Sequence, residues 1–461
     1  MNHYDQYRIE KDTLGEISVP ITAYYGAQTQ RAVNNFQISG IRLPRSFIRA
    51  QGIIKAAAAA ANMELGLLSG DIGKVVIEAA EEVIAGKWDA HFVVDIYQAG
   101  AGTSQNMNVN EVIANRAAEI SGAPLSSHPI HPNDHVNMSQ STNDTFHAAI
   151  NIAAAENIVH RLLPALTNLQ QELDQKAAVL MPILKSGRTH LHDAVPIRLG
   201  QEFSGYGETI HTTSRHLEQA TDALYEIGLG GNAIGTKNNV NPAYIPKIID
   251  EVRDRTGLPF RQPVNIFQFM QNTAAPIRTM LVLKELAVHL IKITSDLRLL
   301  SSGPRTGLAE IILPPVQPGS TIMPGKINPA ILEMTHMVCC QVIGYEAAVA
   351  TAGISGQLEI NVMMPVVAYT LLQSIDILAN AVATLTAKCI NGIEANEHIC
   401  RHWMEASLGL VTGLSPILGY DLASTIGKLA DEQNKTIKQI LQEKGLFTVE
   451  TEKALHPEEM L

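Results

Sequence analysis

Cysteine is scarce: Cys339, Cys340, Cys389 and Cys400 are the only four in 461 residues. They do not form paired C-x-x-C elements, which argues against a thiolate zinc site, and so few thiols in so long a chain fit a reducing cytoplasm. Charge is low as well. Charged residues make up 17%, against about 25% in an average globular chain, so extensive surface is expected to be buried between subunits. No run of lysine or arginine occurs, and 34 basic against 45 acidic residues leave a net charge of −11. That balance argues against nucleic acid and against an anionic membrane as partner. No unbroken apolar run approaches the ~18 residues of a bilayer span. Met1–Lys11 is polar and lacks the apolar stretch of a secretory signal. Neither a metal nor a cofactor is expected.

What the chain has in quantity is helical pattern. Apolar residues are 46% of the chain, recurring at three- and four-residue spacing, while β-branched alternation is scarce. An all-α, mainly helical fold is expected. Six consecutive alanines, Ala56–Ala61, suit close helix–helix approach. Three long helices are predicted, at about Asn143–Leu180, Pro276–Leu300 and Pro365–Ile390. The first would reach on the order of 55 Å at 1.5 Å per residue. Helices so long and so poor in charge are expected to bury their apolar stripes in a bundle shared between subunits. A small hairpin is expected at Tyr7–Pro20, and shorter, more polar helices follow Asn391. Boundaries near 140 and 391 give three domains: 1–140, 141–391 and 392–461.

Five segments rich in Gly, Pro, Asn and Thr are expected as loops between the helices: Ala99–Asn108, His131–Asp144, Ser186–Pro196, Gly228–Pro242 and Pro314–Pro329. Such loops are the places where binding and catalysis concentrate on a helical scaffold, and four of them carry candidate chemistry. The sharpest is Pro318–Pro329, with two glycines and three prolines. It is a poor helix and a poor strand, hence a shaped loop, and it carries Ser320, Thr321, Lys326 and Asn328. A serine is a weak base unless nearby positive charge and N–H groups favour its ionised form. Without that, a serine near a lysine in a loop is usually structural. The second segment, His135–Asp144, precedes the longest helix. Ser141, Thr142 and Asn143 there read as an N-cap or, three in a row, as an anion site at a helix start. The third, Ser186–Asp193, sets Thr189 and His190 beside Arg188, offering two donors and a group that titrates near neutrality. The fourth, Gly100–Asn108, is a glycine-rich turn into a helix with Thr103 at its start. It lacks the ending of a P-loop, so a nucleotide site is not expected.

Taken together, and in this order, the four segments resemble the fumarase/aspartase superfamily. Gly319-Ser320-x-x-Met323-Pro324-x-Lys326-x-Asn328 is its signature, and the likeness runs from Tyr24-Tyr25-Gly26 to Asn391-Gly392-Ile393. Within the superfamily the wording is most like the aspartate ammonia-lyases: His131-Pro132-Asn133-Asp134-His135-Val136-Asn137, then Gln140-Ser141-Thr142-Asn143-Asp144, where fumarases usually have Ser-Ser-Asn. The resemblance implies a three-domain fold whose long helices form a tetrameric bundle, with active sites lined by segments of three subunits. It implies reversible elimination of ammonia from L-aspartate to give fumarate. By the same resemblance Ser320 is the general base; Thr103, Ser141, Thr142 and Thr321 receive the carboxylate that gains charge. Thr189, Lys326 and Asn328 hold the α-carboxylate, and His190 and Asn143 lie near the amino group. In a fumarase-like reading His190 would matter more, paired with Glu333.

The chain departs from the family pattern at several points. His147 follows Asp144-Thr145-Phe146 where proline is common, and the Gly-Thr-Gly-Leu-Asn loop appears as Gly235-Thr236-Lys237-Asn238-Asn239. Asn361-Val362-Met363-Met364-Pro365 stands where Asn-Val-Met-Glu-Pro is usual, and Ile331–His336 replaces a Val-Pro-Glu-Val-x-Asn type of sequence. The leaving group therefore stays open among ammonia, water (a fumarate hydratase) and a modified amine. A catalytically silent helical structural protein is the reading from another class, and the complete polar set argues against it.

Overall fold

The computed structural model describes residues 6–125, 127 and 129–461; of the polar stretch Met1–Lys11, residues 1–5 lie outside them. The chain forms two compact units: residues 1–164, 215–287 and 340–379 make the first, and residues 165–214, 288–339 and 380–461 the second. Seventeen α-helices, six short 3₁₀- or π-helical segments and three two-stranded antiparallel sheets make up the regular structure among the described residues.

The first unit opens with the expected hairpin, β1 (Tyr7–Asp12) and β2 (Gly15–Pro20), turned by Gly15 at φ 108°. Helices α1 (Ala27–Asn35), α2 (Arg45–Glu64), α3 (Gly70–Ile84) and α4 (Thr103–Ile120) follow. The alanine run explains α2. Ala56, Ala57 and Ala58 are fully buried, and a side chain at Gly52 would meet Ile84 of α3 at 2.9 Å, so α2 is hemmed in on nearly every face.

The longest sequence stretch is two helices, α5 (Thr142–Asn157) and α6 (Leu163–Leu180), joined by one π-helical turn at Ile158–Leu162. The expectation of an uninterrupted helix overlooked Pro164, which has no N–H to give the preceding turn; a π turn absorbs such a defect without ending the helix. Then come β3 (Leu184–Thr189), β4 (His192–Arg198), α7 (Leu199–Leu224), α8 (Tyr244–Thr256), α9 (Ile266–Gln271) and α10 (Ala274–Leu300). After the two-residue strand β5 (Ile311–Ile312), the chain continues with α11 (Ala330–Ile354), α12 (Met364–Lys388) and β6 (Glu394–Ala395), which pairs with β5. The polar C-terminal part holds α13 (Glu397–Ala406), which packs on β3, and then α14 (Ser415–Leu418), α15 (Tyr420–Gln433), α16 (Ile437–Glu443) and α17 (Val449–Ala454) around Leu414, Ile426, Ile440 and Leu441.

Two expectations need correction. Ser186–Pro196 is not a loop but most of the β3–β4 hairpin. And although strictly apolar runs are short, two helices among the described residues are long and apolar enough on average to cross a membrane. The Met364–Gly392 stretch is 61% buried in its most apolar window, as a core helix is; Ala330–Ile354 is only 22% buried. Small and polar residues interspersed along both conceal this from a search for unbroken runs.

Candidate active site

In the first unit, the heads of α4 and α5 are locked side by side. Gly102, at φ 85°, precedes α4, and any Cβ there would overlap the Phe146 ring at 2.1 Å. That close approach sets Thr103, exposed at the start of α4, near the head of α5. Ser141 is the N-cap of α5: its Oγ accepts the Asn143 N–H at 3.3 Å, and its own N–H donates to Asp144 Oδ1 at 2.9 Å. The capping reading therefore holds for Ser141, whose hydroxyl proton stays available to an anion. Thr142 Oγ1 accepts from Asn106 Nδ2 at 3.1 Å, which leaves its proton to donate as well. Asn143 Nδ2 donates to the Ala233 carbonyl at 2.7 Å; this fixes the amide so that Oδ1 is the free acceptor, suited to an amino group.

Behind these hydroxyls sits a group the sequence reading missed. Lys55 of α2 is fully buried, and its Nζ donates to Asn106 Oδ1 (2.9 Å), Asn137 Oδ1 (2.9 Å) and Gln140 Oε1 (3.0 Å). By holding Asn106 Oδ1, Lys55 aims Asn106 Nδ2 at Thr142. Burial pushes Lys55 down to about 7, with the Asp144 charge acting against the shift. Asp144 is itself pushed up to about 7 by burial, opposed by N–H donors from Ser141, Asn232 and Gly230. The signal was a lysine interrupting an otherwise apolar run, Gly52–Ala61. Replacing Lys55 by methionine is expected to strip Gln140 Oε1 of its donor and leave Asn106 Oδ1 with only the Thr145 hydroxyl at 3.5 Å, while Asn137 Oδ1 keeps the Asn106 and Asn110 amides. The cost is about 1–3 kcal/mol for each oxygen that stays unsatisfied. Chemical denaturation measures that loss, and a raised KM for dicarboxylate would report the loosened Thr142.

In the second unit, the signature segment is irregular, as expected. Asn328 Nδ2 donates to the Gly319 carbonyl at 2.6 Å and the Gly319 N–H to the Lys326 carbonyl at 2.8 Å, so the loop closes at its neck. Only glycine fits at 319, because a Cβ would stand 2.6 Å from the Asn328 nitrogen. Ser320 Oγ accepts N–H groups from Ile322 (3.2 Å) and Met323 (2.9 Å). Two backbone donors on one hydroxyl oxygen favour negative charge there, the condition a serine base requires. Thr321 and Lys326 are exposed on the same loop, and Lys326 makes no ion pair among the described residues.

Thr189 and His190 lie at the tip of the β3–β4 hairpin, both exposed. The two turn residues, His190 (φ 56°) and Leu191 (φ 61°), are left-handed without being glycine. Each costs about 1–2 kcal/mol, so the hairpin must be held from outside its turn. The hold is Glu310, 0% exposed, which accepts both Arg188 Nη1 (2.9 and 3.0 Å) and Lys185 Nζ (3.2 Å); Lys185 also meets Glu202 at 2.7 Å. Glu310→Gln would leave two cations partly unpaired, and destabilisation of about 3–5 kcal/mol is expected by chemical denaturation. Glu333 does not pair with His190 within the unit; its nearest cation is Arg298 at 3.9 Å. Lys237 and Asn238 are exposed, whereas His147 and Met364 are buried. Among the described residues, no group of three or more His, Cys, Asp or Glu side chains could hold a metal ion.

Comparison with known proteins matches residues 15–344 to the family described as Lyase and residues 410–461 to Fumarase C C-terminus. The chain is 46% identical to a class II fumarate hydratase of Thermosynechococcus vestitus, over 96% of this chain and 95% of that one. It is 43% identical to an aspartate ammonia-lyase of Bacillus subtilis, over 100% and 97%. Among solved structures, a class II fumarase from Schistosoma mansoni superposes with a TM-score of 0.95 at 34% identity, covering 98% of this chain and 99% of that one. A fumarate lyase:delta crystallin from Brucella melitensis, bound to cobalt, gives 0.93 at 43%, again covering 98% and 99%.

Proposed function

Because the chain belongs to the fumarase/aspartase superfamily of lyases, whose shared chemistry centres on fumarate, we propose that it catalyses the reversible anti elimination of ammonia from L-aspartate. The observation that carries the chemistry is Ser320 Oγ beneath two backbone N–H donors. The proton next to the β-carboxylate is barely acidic, and its loss leaves an enediolate with about two negative charges on one carboxylate. Preorganised donors at that group supply the largest share of catalysis in such sites. Thr103, Ser141, Thr142 and Thr321 take that role, and the free protons of Ser141 and Thr142 support it. Lys326, Thr189 and the second N–H of Asn328 hold the α-carboxylate. Asn143 Oδ1 and His190 receive the amino group.

Ammonia leaves without strong acid assistance, so His190 need not act as a proton donor in this reading. Ser141-Thr142-Asn143, the aspartase wording, supports it. The second reading, fumarate hydratase, is favoured by the slightly higher identity, 46% against 43%. A homotetramer with sites shared between subunits belongs to the same proposal; the long apolar helix α11 supports it, since one chain buries only a minority of its most apolar window and leaves Met337 and Ile354 exposed. The test is ultraviolet absorbance of fumarate with L-aspartate and L-malate as separate substrates. A rise with L-aspartate alone is expected; a rise with L-malate alone would give the hydratase reading its place.

A further inference from the structure

A cavity of about 300 Å³ opens in the first unit, with His147, Phe269, Asn272, Thr273, Arg278 and Met364 in its wall. Two of these, His147 and Met364, are departures from the family pattern, so the cavity is furnished differently in this chain from the proline- and glutamate-bearing pattern. Two polar atoms in the wall, His147 Nε2 and Thr273 Oγ1, are buried without a hydrogen-bond partner, on residues only 4% and 2% exposed.

The state of His147 follows from its other nitrogen. Nδ1 lies 2.9 Å from the Asn143 carbonyl oxygen, which can only accept, so Nδ1 carries the proton and Nε2 presents a lone pair. Burial pushes the ring down to about 4, which keeps it neutral at physiological pH. Nε2 therefore requires a donor. Arg278 stands exposed in the same wall with no ion pair among the described residues, whereas Arg261 is engaged by Asp222 (2.8 Å) and Glu226 (3.8 Å). A ligand matching this wall offers an N–H at one end and an anion at the other. A dicarboxylate supplies no donor at neutral pH, and ammonium alone leaves Arg278 unmet.

We propose that this cavity is a second ligand site that takes a small α-amino acid as its zwitterion. The ammonium group donates to His147 Nε2 and Thr273 Oγ1, and the carboxylate pairs with Arg278. The proposal is independent of the leaving group in the reaction above.

L-Serine is the probe, because it has the zwitterion but only one carboxylate for the dicarboxylate-binding residues. Ethanolamine and 3-hydroxypropionate each lack one of its charged ends. Calorimetric titration of the full-length protein is expected to show one L-serine per chain, with both truncated analogues about tenfold weaker or worse. His147→Leu and Arg278→Gln are each expected to weaken L-serine by about tenfold, the loss of one charge-assisted or buried contact. Arg278 is exposed, so its variant tests the proposal even where the His147 variant fails to fold. Absence of L-serine binding at millimolar concentration, equal binding of either analogue, undiminished binding to Arg278→Gln, or displacement by succinate would each overturn it.

Discussion

Replacing Ser320 by alanine is expected to lower turnover by about 10²–10⁴-fold, the usual contribution of a positioned general base. The fold and the affinity for a dicarboxylate are expected to change little. Ser320 Oγ accepts the Ile322 and Met323 N–H groups on a loop that is largely exposed, so water replaces the lost acceptor. The neck of the loop does not depend on it, because Gly319, Lys326 and Asn328 close that neck themselves. The measurement is kcat from fumarate absorbance beside a calorimetric Kd for succinate. Retention of more than about a tenth of the wild-type rate would be incompatible with Ser320 as the base.

The second large effect is a recovery. Ser320→Ala and Thr142→Ala chains are each expected to be nearly inactive, and mixing, denaturing and refolding them should restore activity. If a site takes Ser320 from one subunit and Thr142 from another, random mixing gives about a quarter of sites with both residues wild type. Neither parent alone has any such site. The physical motive is α11, a long apolar helix that a single chain buries only in part, with Met337 and Ile354 left exposed, and that calls for a neighbour. Hybrid formation is checked by mass spectrometry. Activity no greater than that of the parents, with hybrids present, would assign both residues of a site to one subunit.

Much of the fold was legible because its signals are local. Apolar spacing marked α10 and α12 to within two residues of their ends, and the Gly/Pro content of Pro318–Pro329 marked an irregular segment. The β3–β4 hairpin was illegible for a physical reason. Its turn is His190-Leu191 rather than a glycine pair, and it is sustained by the distant Glu310 through Arg188 and Lys185, which no window around residue 190 contains. The π turn before Pro164 was overlooked in the same stretch whose periodicity announced a helix. For the candidate site, the hydroxyls and amides were named from sequence, but what orients them was not. Lys55 reaches Thr142 only through Asn106, three residues on three elements.

Deuterium incorporation tests the central assignment most directly. Fumarate is incubated with the protein in D₂O, with and without ammonium, and the products are followed by proton NMR. With ammonium, the expected product is L-aspartate carrying one deuterium at C3 on a single face, because anti addition returns one solvent-derived proton from the base side. Without ammonium, fumarate should persist. Formation of deuterated malate without ammonium, and no aspartate with it, would contradict the assignment and make the protein a fumarate hydratase.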